Sequence, residues 1–428
     1  MGSEVFSVIA ATFHGNRGAQ AMLETVIGRL RRERPSLRFH VFSYYPHQDR
    51  RLVDADHVVV HSATPLALVA WLLPWSLLFG LLLRLFGRGV LPVAPAAIRA
   101  LAQSRALVDL AGVSFIDGRG KFLPFNALTL LPAWLLGTPI VKMPQAMGPF
   151  ERPVNRMLAG LLLPRCDMVW ARGAGTYDHL QASRLRGLRF AQADDIAFNH
   201  RDDYDLTREN ADVVDALLRE LRTQRARAPA DVVVGICPSS VVAARTGGRR
   251  YEAMLATLVQ DLSRRGCQVV LFPNATREHG EGERNNDLPL LRRIRYASGE
   301  DAAPLLFDRD VSASGIKRII AATDLVLTSR FHAMVGALAL QVPVVVLGWS
   351  HKYAEVMARF GLDDYVLNES VLDEGKLDES RPSTFVLAAI SERERIRRLI
   401  VEHLPEVSAS AERPVLSLLS DAFGADLA

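Results

Sequence analysis

Four short segments of the chain concentrate residue types that bind anions or move protons. The densest runs Asp324-Leu325-Val326-Leu327-Thr328-Ser329-Arg330-Phe331-His332-Ala333-Met334, followed by Gly336 and then by Pro343 and a β-branched run. Arg330 and His332 fall at the start of a predicted helix, whose unpaired amide N–H groups favour an anion. A guanidinium and an imidazole placed there can hold a carboxylate or a phosphate, with Ser329 beside them, and can supply a proton. One histidine at a helix start is commonly a cap or a packing group. An arginine and a histidine together in a strand-to-helix turn are less easily explained that way.

Three further loops follow predicted strands. Phe13-His14-Gly15-Asn16-Arg17-Gly18-Ala19-Gln20 leads into the first helix with glycines three apart. Gly15, Asn16, Arg17 and Gly18 would form an anion loop at the helix N-terminus, with Arg17 as a forked donor. The spacing is neither G-x-G-x-x-G nor a Walker loop, and a tight turn needing two glycines is the competing explanation. Leu110 through Gly120 offers Ser114 and Asp117 among three glycines, where a sheet presents its ligand loops; Asp117 would accept a hydroxyl proton, or else make an Asp-Gly turn. Met143-Pro144-Gln145-Ala146-Met147-Gly148-Pro149-Phe150 reads as a proline-stiffened loop presenting Gln145, or as a rigid connector.

Together these segments resemble the polysaccharide pyruvyltransferase family. Gln145 through Phe150 is similar to the family's Q-x-x-G-P-F, and Trp170-Ala171-Arg172 to its strand ending in arginine. Asp195-Ile196-Ala197-Phe198 is similar to its D-hydrophobic-A-F element, and Ser329-Arg330-Phe331-His332 to its R-hydrophobic-H motif. The resemblance runs discontinuously from about residue 9 to residue 365. It departs at Ala111-Gly112-Val113, where the family carries a glycine triplet, and at Arg172-Gly173-Ala174-Gly175-Thr176, which lacks the acidic residue after the arginine.

The resemblance implies a transferase that moves an enolpyruvyl unit from phosphoenolpyruvate onto a saccharide of a cell-surface or lipid-linked polysaccharide. Arg330 and Arg172, with Arg17, would meet the donor's two anionic groups. His332 would be the general acid, and Asp117 would orient the acceptor hydroxyl. The chemistry requires neither cofactor nor metal, and no ligand cluster is visible. The alternatives are a nucleotide-sugar glycosyltransferase of the same build and a non-catalytic envelope-assembly protein. Many retaining glycosyltransferases carry two glutamates with seven residues between them; aligned on the Pro343 strand, those positions hold Thr328 and Gly336.

The elements that must position these residues alternate between short β-branched runs and longer amphipathic ones, the pattern of helices over parallel sheets. Strands are predicted at Val5–Ala11, Arg38–Phe42, Val58–His61, Leu107–Ala111, Pro139–Lys142 and Met168–Ala171, with a helix at Gly18–Arg34. A second set comprises strands at Val232–Cys237, Gln268–Phe272, Leu325–Thr328 and Val344–Leu347. Its helices lie at Tyr251–Arg265, Ser314–Ala322 and Phe331–Leu340. The expectation is an α/β protein of two Rossmann-like, doubly wound domains facing a cleft, a GT-B-like build. Residues 1–200 would form the first domain and 230–428 the second. The connector at 201–229 would contain one helix opened by Thr207.

The 428 residues suit two domains, and the formal net charge of +4 asks for no nucleic acid. Residues 1–150 carry 15 Lys/Arg against 8 Asp/Glu, a surplus that suits an anionic small molecule or membrane surface as well as plain solvated arginines. Cys166, Cys237 and Cys267 are widely spaced, which argues for core thiols in a reducing compartment. The start, Met1-Gly2-Ser3-Glu4, has no basic region ahead of an apolar one, so a cytoplasmic chain is expected. Leu66–Leu83 breaks the rhythm with eighteen uncharged residues, including Trp71 and Trp75, and Arg84 and Arg88 follow. Because the chain must return to the same sheet at Leu107, a single membrane crossing is excluded. An apolar hairpin dipping into the inner leaflet, making the protein peripheral through 66–88, is preferred over a buried hairpin.

Overall fold

The computed structural model describes residues 4–204, 206–207, 211–227, 232–246, 248–277, 285–348, 351–367 and 381–420. Its regular elements form two parallel sheets. The first contains β1 (Val5–Ile9), β2 (Arg38–Ser43), β3 (Val58–Ser62), β4 (Leu107–Asp109), β5 (Val113–Ile116), β6 (Ile140–Gly148), β7 (Met168–Arg172) and β8 (Phe190–Ala193). Their order is β3-β2-β1-β4-β6-β7-β8, with β5 pairing β6 beyond the end of β4. The second contains β9 (Val233–Cys237), β10 (Gln268–Leu271), β11 (Leu305–Leu306), β12 (Leu325–Thr328), β13 (Val344–Leu347) and β14 (Val366–Leu367), in the order β11-β10-β9-β12-β13-β14.

In both sheets the chain winds outward from a central strand, reverses, and winds the other way. The reversal lies between β1 and β4 in one sheet and between β9 and β12 in the other. A doubly wound sheet opens a crevice at such a reversal, outside the carboxyl ends of its strands. The central strands are apolar on both faces because helices cover both. Val233, Val234, Ile236, Leu325, Val326, Leu327 and Val344 through Val346 are all essentially inaccessible. Each such side chain contributes roughly 1.5–3 kcal/mol relative to leaving it exposed.

The chain divides into two compact units: residues 1–14, 19–208 and 408–428 form the first, and residues 15–18 and 209–407 the second. The main division falls at 208/209, inside the 201–229 connector expected of the sequence, and the units differ from that expectation in two further places. The four residues Gly15–Gly18 group with the second unit, and everything from Ser408, late in the Arg393–Ser417 helix, groups with the first.

The expected helices are present at Arg17–Glu33, Arg249–Arg264, Ala313–Ala321 and Phe331–Ala339. Two local expectations are corrected. Residues Met143–Gly148 are not a loop but the second half of β6, and a register shift between Lys142 and Gln145 accommodates Pro144, which has no N–H to give the ladder. Val113–Ile116 is a strand rather than part of a glycine loop. Thr207 forms an isolated antiparallel bridge with Val53 and donates its hydroxyl to Glu24 at 3.2 Å, and the connector's helix is described over Ala211–Arg227. Pro229 lies outside the described residues.

The apolar segment between β3 and β4 is helical almost throughout. A π-helical turn at Leu68–Leu72 leads into the Leu73–Phe86 helix, and a 3-10 turn follows at Gly87–Val93. Pro74 explains the widened turn, since it lacks the N–H that would bond Ala70 in an α-helix. Gly80 lets this helix approach the Leu131–Leu136 helix closely: a Cβ there would lie 2.4 Å from the Leu135 carbonyl oxygen. Leu68, Leu72 and Phe79 are buried, but Leu66, Leu77, Leu81, Leu85 and Phe86 are more than half exposed.

Candidate active site

The second sheet's reversal brings two loop starts side by side. β9 ends at Cys237 opposite Thr328, the last residue of β12, so Ser239-Ser240 and Ser329-Arg330 emerge next to each other. Thr328 shapes the turn. Its hydroxyl donates to the Cys237 carbonyl at 3.0 Å and accepts the Arg330 N–H at 2.9 Å. Ser329 is buried; its hydroxyl accepts from the Tyr251 hydroxyl at 2.8 Å, and its carbonyl from the Tyr353 hydroxyl at 2.9 Å. Ser329 therefore anchors the turn rather than facing a ligand.

Arg330 takes the N-cap position of the Phe331–Ala339 helix. One terminal nitrogen donates to Ser240 Oγ at 3.0 Å and forms a short ion pair with Asp287. Asp287, fully buried, is the hub that sequence reasoning missed. Its carboxylate also accepts the backbone N–H of Ser240 at 3.0 Å, of Asn274 at 3.2 Å and of Ala275 at 2.9 Å. Burial acts against the Arg330 charge, but Asp287 outweighs it and holds the guanidinium above its ordinary pKa. The arginine is not used up by these contacts. Its Nε is buried with no hydrogen-bond partner among the described residues, and 13% of the side chain stays accessible. A buried donor left over beside a fixed cation is what an anion would satisfy.

The glycine loop of the first motif meets this turn. Gly15 adopts φ 85°, which a side chain would resist, and its carbonyl accepts the Thr276 N–H at 2.9 Å. Asn16 bridges to Ala275 and accepts the Gly18 N–H on its side chain at 3.0 Å. Gly18 lies against the His332 imidazole so closely that an added Cβ would sit 2.0 Å from Nδ1. The two motifs, more than 300 residues apart in sequence, thus come together at His332. Arg17 belongs elsewhere. It is buried, pairs with Asp310 at 2.5 Å, and donates to Thr276 Oγ1 at 3.1 Å. Its charge fixes the loop within the second unit.

The remaining predicted residues lie in the first unit. Arg172 at the end of β7 is buried and clamped, donating to Asp195 at 2.7 Å and to the Gly112 carbonyl at 2.9 Å. Asp195 also accepts the Ala197 N–H at 3.0 Å. The two family-like elements around Arg172 and Asp195 are therefore one buried ion pair that holds the Gly112 loop. Gln145 is fully buried on β6, where its Oε1 accepts from Ser114 Oγ at 2.5 Å and its Nε2 donates to the Met143 carbonyl at 3.1 Å.

Asp117 has both carboxylate oxygens engaged. It accepts from the backbone N–H groups of Glu151 at 2.7 Å and Arg152 at 3.2 Å, and from Asn155 Nδ2 at 2.8 Å. Burial acts to raise its pKa, but the bonds from Asn155, Glu151 and Arg152 outweigh that and hold it below the usual carboxylate value. It secures the start of the Pro153–Leu162 helix, a fixed role unlike that of a proton acceptor.

Sequence reading also missed Asp109 and Lys142, which form a fully buried pair at the first sheet's reversal, with the ammonium 5.5 Å from the Phe115 ring centre. Asp109 lines a cavity of about 210 Å3 together with Ser114, Asn126 and Thr129, a set suited to the hydroxyls of a saccharide. A carboxylate in an LVD strand and a lysine in an IVK strand carry no signal of pairing until the register places Asp109 opposite Lys142.

Comparison with known proteins agrees with this geometry. The chain is similar in structure to UDP-GlcNAc 2-epimerase from Neisseria meningitidis bound to UDP-GlcNAc. Identity is 11% and the TM-score 0.57, with 97% of this chain and 99% of that one covered. It is also similar to a glycosyltransferase from Rickettsia africae, at 10% identity and TM-score 0.53 over 98% and 99% of the two chains. These likenesses establish the α/β fold with two Rossmann-like sheets, GT-B-like in class. A family model described as polysaccharide pyruvyl transferase matches residues 16–351, which take in the glycine loop, the Arg172–Asp195 clamp and the Arg330–His332 turn. The chain belongs to the polysaccharide pyruvyl transferase family and is a transferase of polysaccharide biosynthesis.

Proposed function

We propose that the chain transfers a pyruvyl unit from phosphoenolpyruvate to a saccharide of a cell-surface or lipid-linked polysaccharide, closing a ketal. The observation that carries this reading is the Arg330–His332 turn: a guanidinium with a buried N–H unsatisfied among the described residues, two positions before an imidazole, at a helix N-terminus. Arg330 takes an anionic group of the donor, its carboxylate or its phosphate. His332 delivers a proton to the methylene carbon, leaving a cation at the adjacent carbon. One acceptor hydroxyl adds there, and a second displaces phosphate. Of the two hydroxyl protons released, one restores His332 and the other leaves with phosphate. Neither a redox partner nor a metal is needed for this balance.

The test is release of inorganic phosphate from phosphoenolpyruvate with soluble and lipid-linked saccharide acceptors, and with nucleotide sugars offered as competing donors. His332→Ala is expected to lower turnover at saturating donor by a factor on the order of 10²–10⁴. Normal turnover in that variant removes His332 as the acid. Transfer of a sugar from a nucleotide, with no phosphate released from phosphoenolpyruvate, overturns the donor assignment.

A further inference from the structure

The Pro65–Val93 segment is long and apolar enough to cross a membrane, yet it cannot do so as a single span, because β3 before it and β4 after it belong to one sheet. Nor is it core. Only 28% of its most apolar window is buried. The Leu73–Phe86 helix turns Phe79 and Ser76 inward and leaves Leu77, Leu78, Leu81, Leu85 and Phe86 exposed, with Trp75 half-covered beside them. A soluble monomer rarely leaves so much contiguous apolar surface uncovered.

The surface continues onto neighbouring elements of the same unit. The Leu131–Leu136 helix, against which Gly80 packs, presents Trp134, and the Arg165 guanidinium lies over that ring, 5.0 Å from its centre. Arg165 in turn bonds the Leu161 carbonyl, and the Pro153–Leu162 helix exposes Val154, Met157 and Leu161. Two helices, well separated in sequence, therefore show apolar side chains to solvent on either side of Trp134.

We infer that this surface seats the first unit on the acyl–headgroup boundary of an anionic lipid leaflet. Charge distinguishes a bilayer from a protein partner. Residues 57–108 contain no Asp or Glu, and neither do residues 118–150 or 152–166, whereas Arg84, Arg88, Arg152, Arg156 and Arg165 lie along these stretches. An apolar face rimmed by arginines and containing half-exposed tryptophans matches the layered chemistry of that boundary: acyl chains, then carbonyls and amphipathic rings, then phosphates. The inference stands apart from the donor assignment, since it uses no residue of the Arg330–His332 turn.

The test is flotation of the full chain with vesicles of phosphatidylcholine alone and of phosphatidylcholine with phosphatidylglycerol. It is paired with a thermal melt, sedimentation velocity and turnover on a soluble acceptor. The expected result is binding to the anionic vesicles. Leu77→Ser/Leu78→Ser/Leu81→Ser should weaken partitioning by about 100-fold or more at an unchanged melting temperature, because three apolar side chains no longer leave water. Arg84→Gln/Arg88→Gln, which gives up only a long 3.5 Å contact from Arg84 to the Gly80 carbonyl, should abolish the preference for phosphatidylglycerol. Soluble-acceptor turnover should stay at the native level in both variants. The inference is overturned if the native chain stays with the solvent. It is overturned equally if the triple variant floats as before, or if the face proves to be a self-association surface whose concentration-dependent dimer the triple variant abolishes.

Discussion

Arg172 and Arg330 invite the same reading from sequence and do different work. Each sits at or just past the carboxyl end of an interior strand, each is followed by a helix, and each pairs with a buried aspartate. Arg172 is spent on the protein, with one terminal nitrogen on Asp195 and the other on the Gly112 carbonyl, and only 5% of its side chain is accessible. Arg330 puts both of its protein contacts on a single nitrogen and keeps a buried N–H in reserve. A buried cation becomes a ligand site only when the protein leaves part of its donor set unmatched; fully matched, it is a clamp.

The largest expected difference is in stability. Arg172→Ala strands the Asp195 carboxylate in the core and should cost about 3–5 kcal/mol in urea unfolding monitored on the first unit. Near-native stability, with donor affinity lost instead, would turn Arg172 back into a ligand and erase the contrast.

Gly18→Ala probes the other side. Its Cβ would fall 2.0 Å from His332 Nδ1, so the imidazole must swing away. Turnover should drop by about 10- to 100-fold through lost positioning, with little change in melting temperature. The same change added to His332→Ala should have almost no further effect, since the displaced group is already gone. Additive losses would show that Gly18 acts on something else.

Arg330→Lys sharpens the contrast with a smaller effect. A lysine can keep the Asp287 pair but not the forked donor set, so, if phosphoenolpyruvate is the donor as proposed, its KM should rise by about tenfold with turnover nearly preserved. An unchanged KM would leave the reserved N–H without a role.

The smallest effect lies away from both arginines. His40 Nδ1 and His61 Nε2 are 2.8 Å apart on β2 and β3. Burial, together with His40 and Arg50, lowers His61 from 6.5 to about 4; burial and Arg38 also lower His40. Both groups bind protons more readily in the unfolded chain. Their contribution to stability is therefore complete above pH 6.5 and is lost progressively as the pH falls towards 4. His61→Gln should flatten the melting temperature of the first unit over that range and leave Arg330-dependent kinetics alone. An undiminished acid slope would place the titration elsewhere.

Much of the frame was legible from periodicity. The runs at β1, β2, β9, β12 and β13 are apolar because helices cover both sheet faces, and a short β-branched run bounded by polar turns has few other uses. The Arg330–His332 turn was legible too, since a strand, a polar turn and a helix in succession fix where the side chains emerge. The Met143–Gly148 strand was not. Two prolines and a glycine signal a loop locally, and only pairing with β5 and β7 around the Lys142/Gln145 register shift makes it a strand.

The amino-acid sequence by itself determined the two sets of βα units, the family motifs and the uncharged stretch at 66–83, all of which depend on neighbours within a turn or two. The tertiary structure alone decided which charged groups meet. Asp287 finds Arg330 and Asp195 finds Arg172 across 43 and 23 residues, and Gly18 meets His332 across most of the chain. Tertiary structure also decided which leucines of the apolar run turn inward. Phe79 is core and Leu77 is surface, although local hydropathy treats them alike. The physical reason is common to all of these. Burial and pairing energies depend on which atoms are neighbours in space, and a residue's type fixes only what it can do once those neighbours are set.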